Sequence, residues 1–315
     1  MSSIRIGTRG SQLALWQAYH IEKLLRAGGL STEIVIIETT GDQILDRSLS
    51  KIGSKGVFTK ELEEQLLDRR IDIAVHSAKD LPSVLDPTLP ILAFTEREQV
   101  NDVLVSFDKN LTLDPRPKTQ DFNLTVGTSS TRRVAMLKHF YPQVQTTDMR
   151  GNLQTRLRKL KEGNCDALLL AYAGVHRMGY DDLIVAHLPT EKFTPAVGQG
   201  SVAVQCSTSL EENKKTVIKR LVNDHHTEIC LLAERAFLKY LQGGCSVPVF
   251  GLATLEGNQI VLTGGVVSLD GRQFLRETLT APINEAEKIG IALAEKLLQL
   301  GAQQILDEIK QNPIA

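Results

Sequence analysis

Asp72-Ile73-Ala74-Val75-His76-Ser77-Ala78-Lys79-Asp80-Leu81-Pro82 is the stretch on which the reading of this chain turns. An apolar run from Ile71 to Val75 has the length and composition of a buried strand. It then gives way to His76, Ser77, Lys79 and Asp80, and Pro82 ends the segment. In parallel α/β sheets, ligands gather at the carboxyl ends of strands, so this polar tail is expected to face a cleft. The plainer alternative is an ordinary loop in which Asp80 pairs with Lys79.

Upstream, Arg5 to Thr8 reads as a short strand, and Ser11 is placed to cap a helix with Ala14, Ala18, Ile21 and Leu25 on one stripe, ending at Gly28-Gly29. Glu33 to Ile37 is a strand, and Thr59 opens a helix that buries Leu62 and Leu66. Downstream the rhythm repeats. Asp102 to Ser106, Leu124 to Gly127 and Ala167 to Leu170 are strands, with helices capped by Ser129 or Ser130 and by Asn152. Such alternation implies βαβ units and a mainly parallel sheet. The last third differs. A helix from about Thr227 to Leu241 ends at Gly243-Gly244, turns fall at Glu256-Gly257-Asn258 and Asp270-Gly271, and helical pattern returns from Asn284 to Ile309, which makes an α+β unit.

With 315 residues, the chain is long enough for two or three domains. Hydrophobic residues make up 42% and charged residues 23%, ordinary for a globular protein with real cores. A net charge of −1 gives no whole-molecule field for nucleic acid or membrane, so any anion site must arise by local clustering. The four cysteines, Cys165, Cys206, Cys230 and Cys245, form no CxxC pair and read as reduced thiols. The N-terminus lacks an apolar leader, which points to the cytoplasm, with the imported mature form of a longer precursor as the alternative.

Local clustering is found between Gly127 and Leu160, where Arg132, Arg133, Lys138, Arg150, Arg156, Arg158 and Lys159 face a single acid, Asp148. A solvated basic face or a nucleic-acid patch is the bland reading. Against it, Arg132 and Arg133 fall in the first turn of a helix, where the dipole disfavours cations, just after Gly127-Thr128-Ser129-Ser130 with its free N–H groups. Cations placed there make sense if an anion sits beside them. Arginine dominates the set, which favours forked pairing with carboxylate or phosphate. Neither GxxxxGK[ST] nor GxGxxG occurs, so a nucleotide is not the obvious anion. Thr8-Arg9-Gly10-Ser11 and the basic, glycine-rich loop Lys51 to Gly56 are weaker signals of the same kind. Cys245 lies just past a helix C-terminus between Gly243-Gly244 and Pro248. A negative helix end does not lower a thiol pKa, so Cys245 reads as an attachment point rather than an activated nucleophile.

Together these segments resemble the hydroxymethylbilane synthase (porphobilinogen deaminase) family. The matching stretches are Thr8-Arg9 through Trp16-Gln17, Lys55-Gly56-Val57-Phe58, Asp72 through Asp80, Gly127 to Ser130 with Arg132-Arg133, Arg150-Gly151-Asn152, Pro195 to Gly200, and Gly243-Gly244-Cys245, in family order over nearly the whole chain. Thr131 stands where the family usually has an apolar residue, and Gly10 and Ser201 are less usual choices. All three are expected to tune the site rather than abolish it.

The resemblance implies an α/β fold of two periplasmic-binding-protein-like domains plus a smaller C-terminal α+β domain. Domain one is expected at 1–98 and 199–216, domain two at 99–198, and domain three at 217–315. It implies an enzyme that joins four porphobilinogen molecules head to tail with loss of ammonia, then releases linear hydroxymethylbilane by hydrolysis. It also implies a dipyrromethane cofactor in thioether linkage to Cys245. Matched positions assign Asp80 to catalysis and Cys245, Lys79, Ser77, Lys55, Thr128, Ser130, Arg132, Arg133, Arg150 and Gly174 to the cofactor. Arg9, Ser11, Lys51, Arg150, Arg156, Arg177 and Gln199 are assigned to substrate, no residue to a metal, and Arg158 and Lys159 to solvent. Hinges are expected near Glu96 to Val100 and Thr194 to Gly198. A monomer that acts on a small molecule, without nucleic-acid or membrane partners, is expected. The rival readings are a two-lobed anion-binding module without chemistry and a nucleic-acid-binding protein.

Overall fold

The computed structural model of this protein describes residues 3–39, 59–113, 123–244 and 247–311. Its first sheet begins with β1 (Ile4–Arg9), α1 (Gln12–Ala27) and β2 (Thr32–Ile37). Ile4, Ile6 and Thr8 alternate toward the buried stripe Ala14, Ala18, Ile21 and Leu25 of α1, whose first turn is capped by Ser11 Oγ accepting from Ala14 N at 3.3 Å. After α2 (Lys60–Leu67) comes β3 (Ile73–Ser77), then a 3₁₀ turn at Ala78–Asp80, then β4 (Ile91–Phe94). The strand therefore runs two residues further than its apolar composition suggested and includes His76 and Ser77.

The chain then crosses into a second sheet made of β5 (Asp102–Val105), β6 (Thr125–Gly127), β7 (Gln145–Thr147), β8 (Ala167–Ala171) and β9 (Ile184–His187). Helices α3 (Thr131–Phe140), α4 (Leu153–Lys161) and α5 (Tyr172–Arg177) connect its strands. It crosses back to place β10 (Val202–Cys206) in the first sheet. The strand orders are β2, β1, β3, β10, β4 and β7, β6, β8, β5, β9. Each sheet is parallel at its centre, and each takes one antiparallel strand, β10 or β5, directly from a crossing. These are two α/β units of five strands each.

Helices α6 (Glu212–Val222) and α7 (His225–Tyr240) lead into an antiparallel sheet of β11 (Val249–Glu256), β12 (Gln259–Val267) and β13 (Phe274–Pro282), followed by α8 (Ala286–Leu297) and α9 (Gln303–Gln311). Turns fall at Gly257-Asn258 and around Asp270-Gly271 as expected. The boundary expected at 216/217 falls inside α6. Its Ile218 and Val222 pack with Ile21 and Leu25 in the first core, whereas Ile229, Cys230 and Ala233 of α7 belong to the third.

The two crossings lie side by side. Glu98 N donates to the Gly200 carbonyl at 3.1 Å, and Arg97 Nε to the Gln199 carbonyl at 2.9 Å. Gly198 (φ 78°) and Gly200 (φ 97°) adopt left-handed backbone, and a Cβ would lie 2.9 Å from Lys79 N at the first and 2.5 Å from the Glu98 carbonyl oxygen at the second. Only glycine fits here. Beneath them Glu234 of α7, fully buried, accepts from Arg97 Nη1 at 2.6 Å and Nη2 at 3.1 Å, and from the amides of Gly198 and Ala253 at 2.9 and 2.8 Å. One carboxylate thus ties both crossings to the third unit.

Candidate active site

Most of the expected site residues that lie within the described regions sit at the carboxyl end of a parallel strand or at the start of the helix that follows. Arg9 closes β1 and Ser11 caps α1. Ser77 closes β3, with Oγ accepting from Gln17 Nε2 at 2.8 Å, and Lys79 and Asp80 form the turn beyond. Thr128 and Ser130 follow β6, and Ser130 Oγ caps α3 by accepting from Arg133 N at 3.5 Å. Arg150 follows β7, and Gly174 and Arg177 lie on α5 after β8. The two edges face each other, since Gln154 Nε2 of α4 donates to Gln12 Oε1 of α1 at 2.6 Å, and a Cβ on Gly174 would lie 3.6 Å from Leu13. Cys245, Lys51 and Lys55 lie outside the described residues.

The anion beside Arg132 and Arg133 is supplied by the protein itself. Asp102, fully buried at the start of β5, lies 2.8 Å from Arg132 Nη2 through Oδ2, and its Oδ1 accepts from Arg133 Nε and Nη2 at 3.1 and 2.8 Å. Arg132 Nη1 donates to the Thr194 carbonyl and Arg133 Nη1 to the Leu169 carbonyl, both at 3.0 Å. Burial by itself would raise the Asp102 carboxyl, but the two guanidiniums outweigh it and hold it far below the usual carboxylate range. Gln199 closes the cluster, donating Nε2 to Asp102 Oδ1 at 2.9 Å and to the Val100 carbonyl at 2.7 Å. The sequence reading missed Asp102. An acid at the head of the apolar strand Asp102-Val103-Leu104-Val105 was the signal available, since such a position requires a cation.

Around Asp80 the cluster is more open. Asp80 is exposed, Lys79 is half-buried, and Lys79 Nζ lies 3.4 Å from Gln199 Oε1. Burial, followed by the nearby Arg133, brings the Lys79 ammonium down to about 8. Arg156 donates Nε to the Gly151 carbonyl at 2.8 Å; burial and then Arg133 lower its pKa to about 10, while Asp80 and Asp148 act in the opposite direction. Arg150 pairs with Asp148 at 2.7 Å. Arg177 donates Nη2 to the Gly200 carbonyl at 2.7 Å. Arg158 is exposed and pairs with Glu162 at 3.1 Å, but Lys159 is not left to solvent, because its Nζ donates to the Arg150 carbonyl at 3.3 Å. His76, expected to face the cleft, is instead 6% exposed in β3, and burial lowers its pKa to about 4.

The donor set suits a polycarboxylate ligand. Asp102 offsets only one of its two arginines, among the described residues Arg132 Nε is buried without a hydrogen-bond partner, and Lys79 and Arg156 lie close enough to feel the Arg133 charge. Cys165, Cys206 and Cys230 are buried, and burial raises each thiol pKa, Cys230 to about 11, so none is a ready nucleophile. Among the described residues, no group of three or more His, Cys, Asp or Glu is placed to hold a metal ion.

Residues 4–215 match the family model described as porphobilinogen deaminase, dipyromethane cofactor binding domain, and residues 228–299 match the porphobilinogen deaminase C-terminal domain. The porphobilinogen deaminase of Cytophaga hutchinsonii is 57% identical over 310 residues, covering 98% of each chain. That of Desulfosudis oleivorans is 51% identical over 309 residues, again 98% of each. That of Syntrophomonas wolfei is 48% identical over 315 residues, 99% of this chain and 100% of the relative. Among solved structures, the periplasmic VFT2 domain of BvgS from Bordetella pertussis superposes with a TM-score of 0.39 at 15% identity, covering 70% of this chain and 93% of that one.

Proposed function

The chain belongs to the porphobilinogen deaminase family, and on that premise we propose that it is a hydroxymethylbilane synthase, a transferase of tetrapyrrole and haem biosynthesis. It joins four porphobilinogen molecules head to tail, each with loss of ammonia, and releases the linear product by hydrolysis. The observation that carries this reading is the exposed Asp80 carboxylate set among cations where two sheet edges face each other. The same reading makes the three sheets three domains, 1–98 with 199–222, 99–198, and 223–315, the boundary after 198 being moved from 216 to follow α6. It takes the enzyme as a cytoplasmic monomer with a small-molecule substrate and neither nucleic-acid nor membrane partner. A net charge of −1 supports the lack of a nucleic-acid partner, and among the described residues no helix is long and apolar enough to cross a membrane.

Dipyrromethane would be held through Cys245 and, when bound, would supply the pyrrole end for chain growth. Its carboxylates would be held by Lys79, Ser77, Lys55, Thr128, Ser130, Arg132, Arg133, Arg150 and the backbone at Gly174. Those of the incoming substrate would be held by Arg9, Ser11, Lys51, Arg150, Arg156 and Arg177, while Gln199, whose two amide N–H groups already go to Asp102 Oδ1 and the Val100 carbonyl, would act by positioning Lys79 through its Oε1. These roles are compatible with the buried pairing to Asp102, which ties the Arg132 and Arg133 guanidiniums together and leaves one positive charge unmatched. Asp80 acts on charge. As the substrate aminomethyl group loses ammonia, positive charge develops at the pyrrole nitrogen, and a carboxylate ~4 Å away in a medium of effective dielectric ~20 stabilises it by about 4 kcal/mol. Expressed wholly in the transition state, that is roughly a thousandfold in rate.

Purified protein incubated with porphobilinogen is expected to release ammonia and accumulate hydroxymethylbilane, and its intact mass to exceed the polypeptide by a covalently held pyrrole pair. Cys245→Ser is expected to show the bare mass and no turnover. An active protein with the bare polypeptide mass would remove the anchor.

A further inference from the structure

Arg177 meets an aromatic ring of the opposite domain. Its guanidinium carbon lies 5.1 Å from the centroid of Trp16 on α1, within the ~6 Å over which a ring face attracts a cation. Nη2 is held by the Gly200 carbonyl at 2.7 Å, and among the described residues Nε and Nη1 have no hydrogen-bond partner. On α1, Trp16 also stacks on His20, with centroids 5.3 Å apart and planes 5° from parallel. Burial, then Arg177 and Lys23, lowers the His20 pKa, so the indole is not shared between two cations at neutral pH. The Gln12–Gln154 hydrogen bond and the Leu13–Gly174 approach lie on the same two helices and their neighbours, so this stack is part of the seam between the two α/β units.

We infer that Trp16 is a positioning residue for substrate binding: the indole face and the Gly200 carbonyl hold the Arg177 guanidinium plane, leaving its remaining N–H groups to take a porphobilinogen carboxylate. An unsupported arginine samples many rotamers, and each binding event must freeze them. A guanidinium laid on an indole has already lost that freedom. The inference rests on Arg177 being a substrate ligand, a role separate from that of Trp16, and the two can be tested apart.

Steady-state kinetics of the cofactor-loaded enzyme would compare Trp16→Phe, Trp16→Leu, Arg177→Gln and the double variant Trp16→Leu/Arg177→Gln. Trp16→Leu is expected to raise KM for porphobilinogen roughly three- to tenfold while kcat stays within about twofold, and Trp16→Phe to restore most of the loss. In the Arg177→Gln background, Trp16→Leu is expected to add nothing. The chain has one tryptophan, so its emission reports this site alone, and porphobilinogen is expected to shift it in the wild type but not in Arg177→Gln. An unchanged KM for Trp16→Leu beside an impaired Arg177→Gln would overturn the inference and leave the ligand role standing. So would an equal rise from Trp16→Leu in both backgrounds. An unchanged KM for Arg177→Gln would remove the ligand role and this inference with it.

Discussion

The cluster around Asp102 and the cluster around Asp80 lie on either side of Gln199 and use the same kinds of side chain to different ends. Asp102 is fully buried, and its charge is met by two guanidiniums from the start of α3 and by the Gln199 amide. Asp80 is exposed, and two cations that feel its charge, Lys79 and Arg156, are bound to neutral oxygens. In the first cluster the protein supplies one counter-ion for two guanidiniums, which ties them together beside the crossings. In the second, charge is left for a ligand to complete. Arginine at a helix N-terminus therefore does not by itself indicate a ligand. What decides is how much of the charge the fold already offsets: Asp102 meets one of the two positive charges, and only the excess is available to a ligand.

If this contrast is right, removing each carboxylate should produce a different failure. Asp102→Ala leaves two buried guanidiniums without their partner and is expected to cost about 3–5 kcal/mol of stability. A thermal melt would show it, and a variant that melted like the wild type but lost activity would place Asp102 with Asp80 instead. Asp80→Asn is expected to keep the melting temperature and the covalent pyrrole mass while losing roughly a thousandfold in kcat; near-normal turnover would remove Asp80 from catalysis. Arg156→Leu sharpens the contrast on the cation side. It is expected to raise KM about tenfold or more, because a substrate carboxylate loses a charged hydrogen-bond donor, with little change in the melt. Equal loss of stability and activity would instead make Arg156 structural.

The smallest expected effect is a pH dependence from Lys79, whose folded pKa of about 8 lies below the ordinary 10.5. Between those values the unfolded chain binds a proton that the native protein lacks, so the Lys79 contribution to stability rises with pH across the window. Substrate affinity should move the opposite way, because above about 8 the site loses a positive charge. Lys79→Met should flatten that loss of affinity, and a KM profile unchanged by the substitution would show that Lys79 is not the titrating group.

Periodicity and capping residues were enough to place most elements. The apolar stripe of α1, the Ser11, Ser130 and Asn152 caps and the turns at Gly257 and Gly271 are local features, settled within a few residues. The polar tail after β3 also gave away the position of Lys79 and Asp80. His76 was misread because its polarity suggests a loop, whereas the sheet continues through it and buries it. Lys159 was misjudged for a related reason, since helix position alone does not reveal that its chain can reach back to the Arg150 carbonyl.

What the sequence settled without help is whatever depends on neighbours along the chain: strand and helix identity, the caps, the glycine turns and an ordered set of motifs that fixes the family. What only tertiary structure decided is which charges meet. Asp102 lies 30 and 31 residues from its two arginines, Glu234 lies 137 from Arg97, and Trp16 on α1 beside the first sheet meets Arg177 on α5 after β8 of the second. Electrostatic pairing and desolvation act through space, so their outcome is set by how sheets and crossings pack and not by the order of residues.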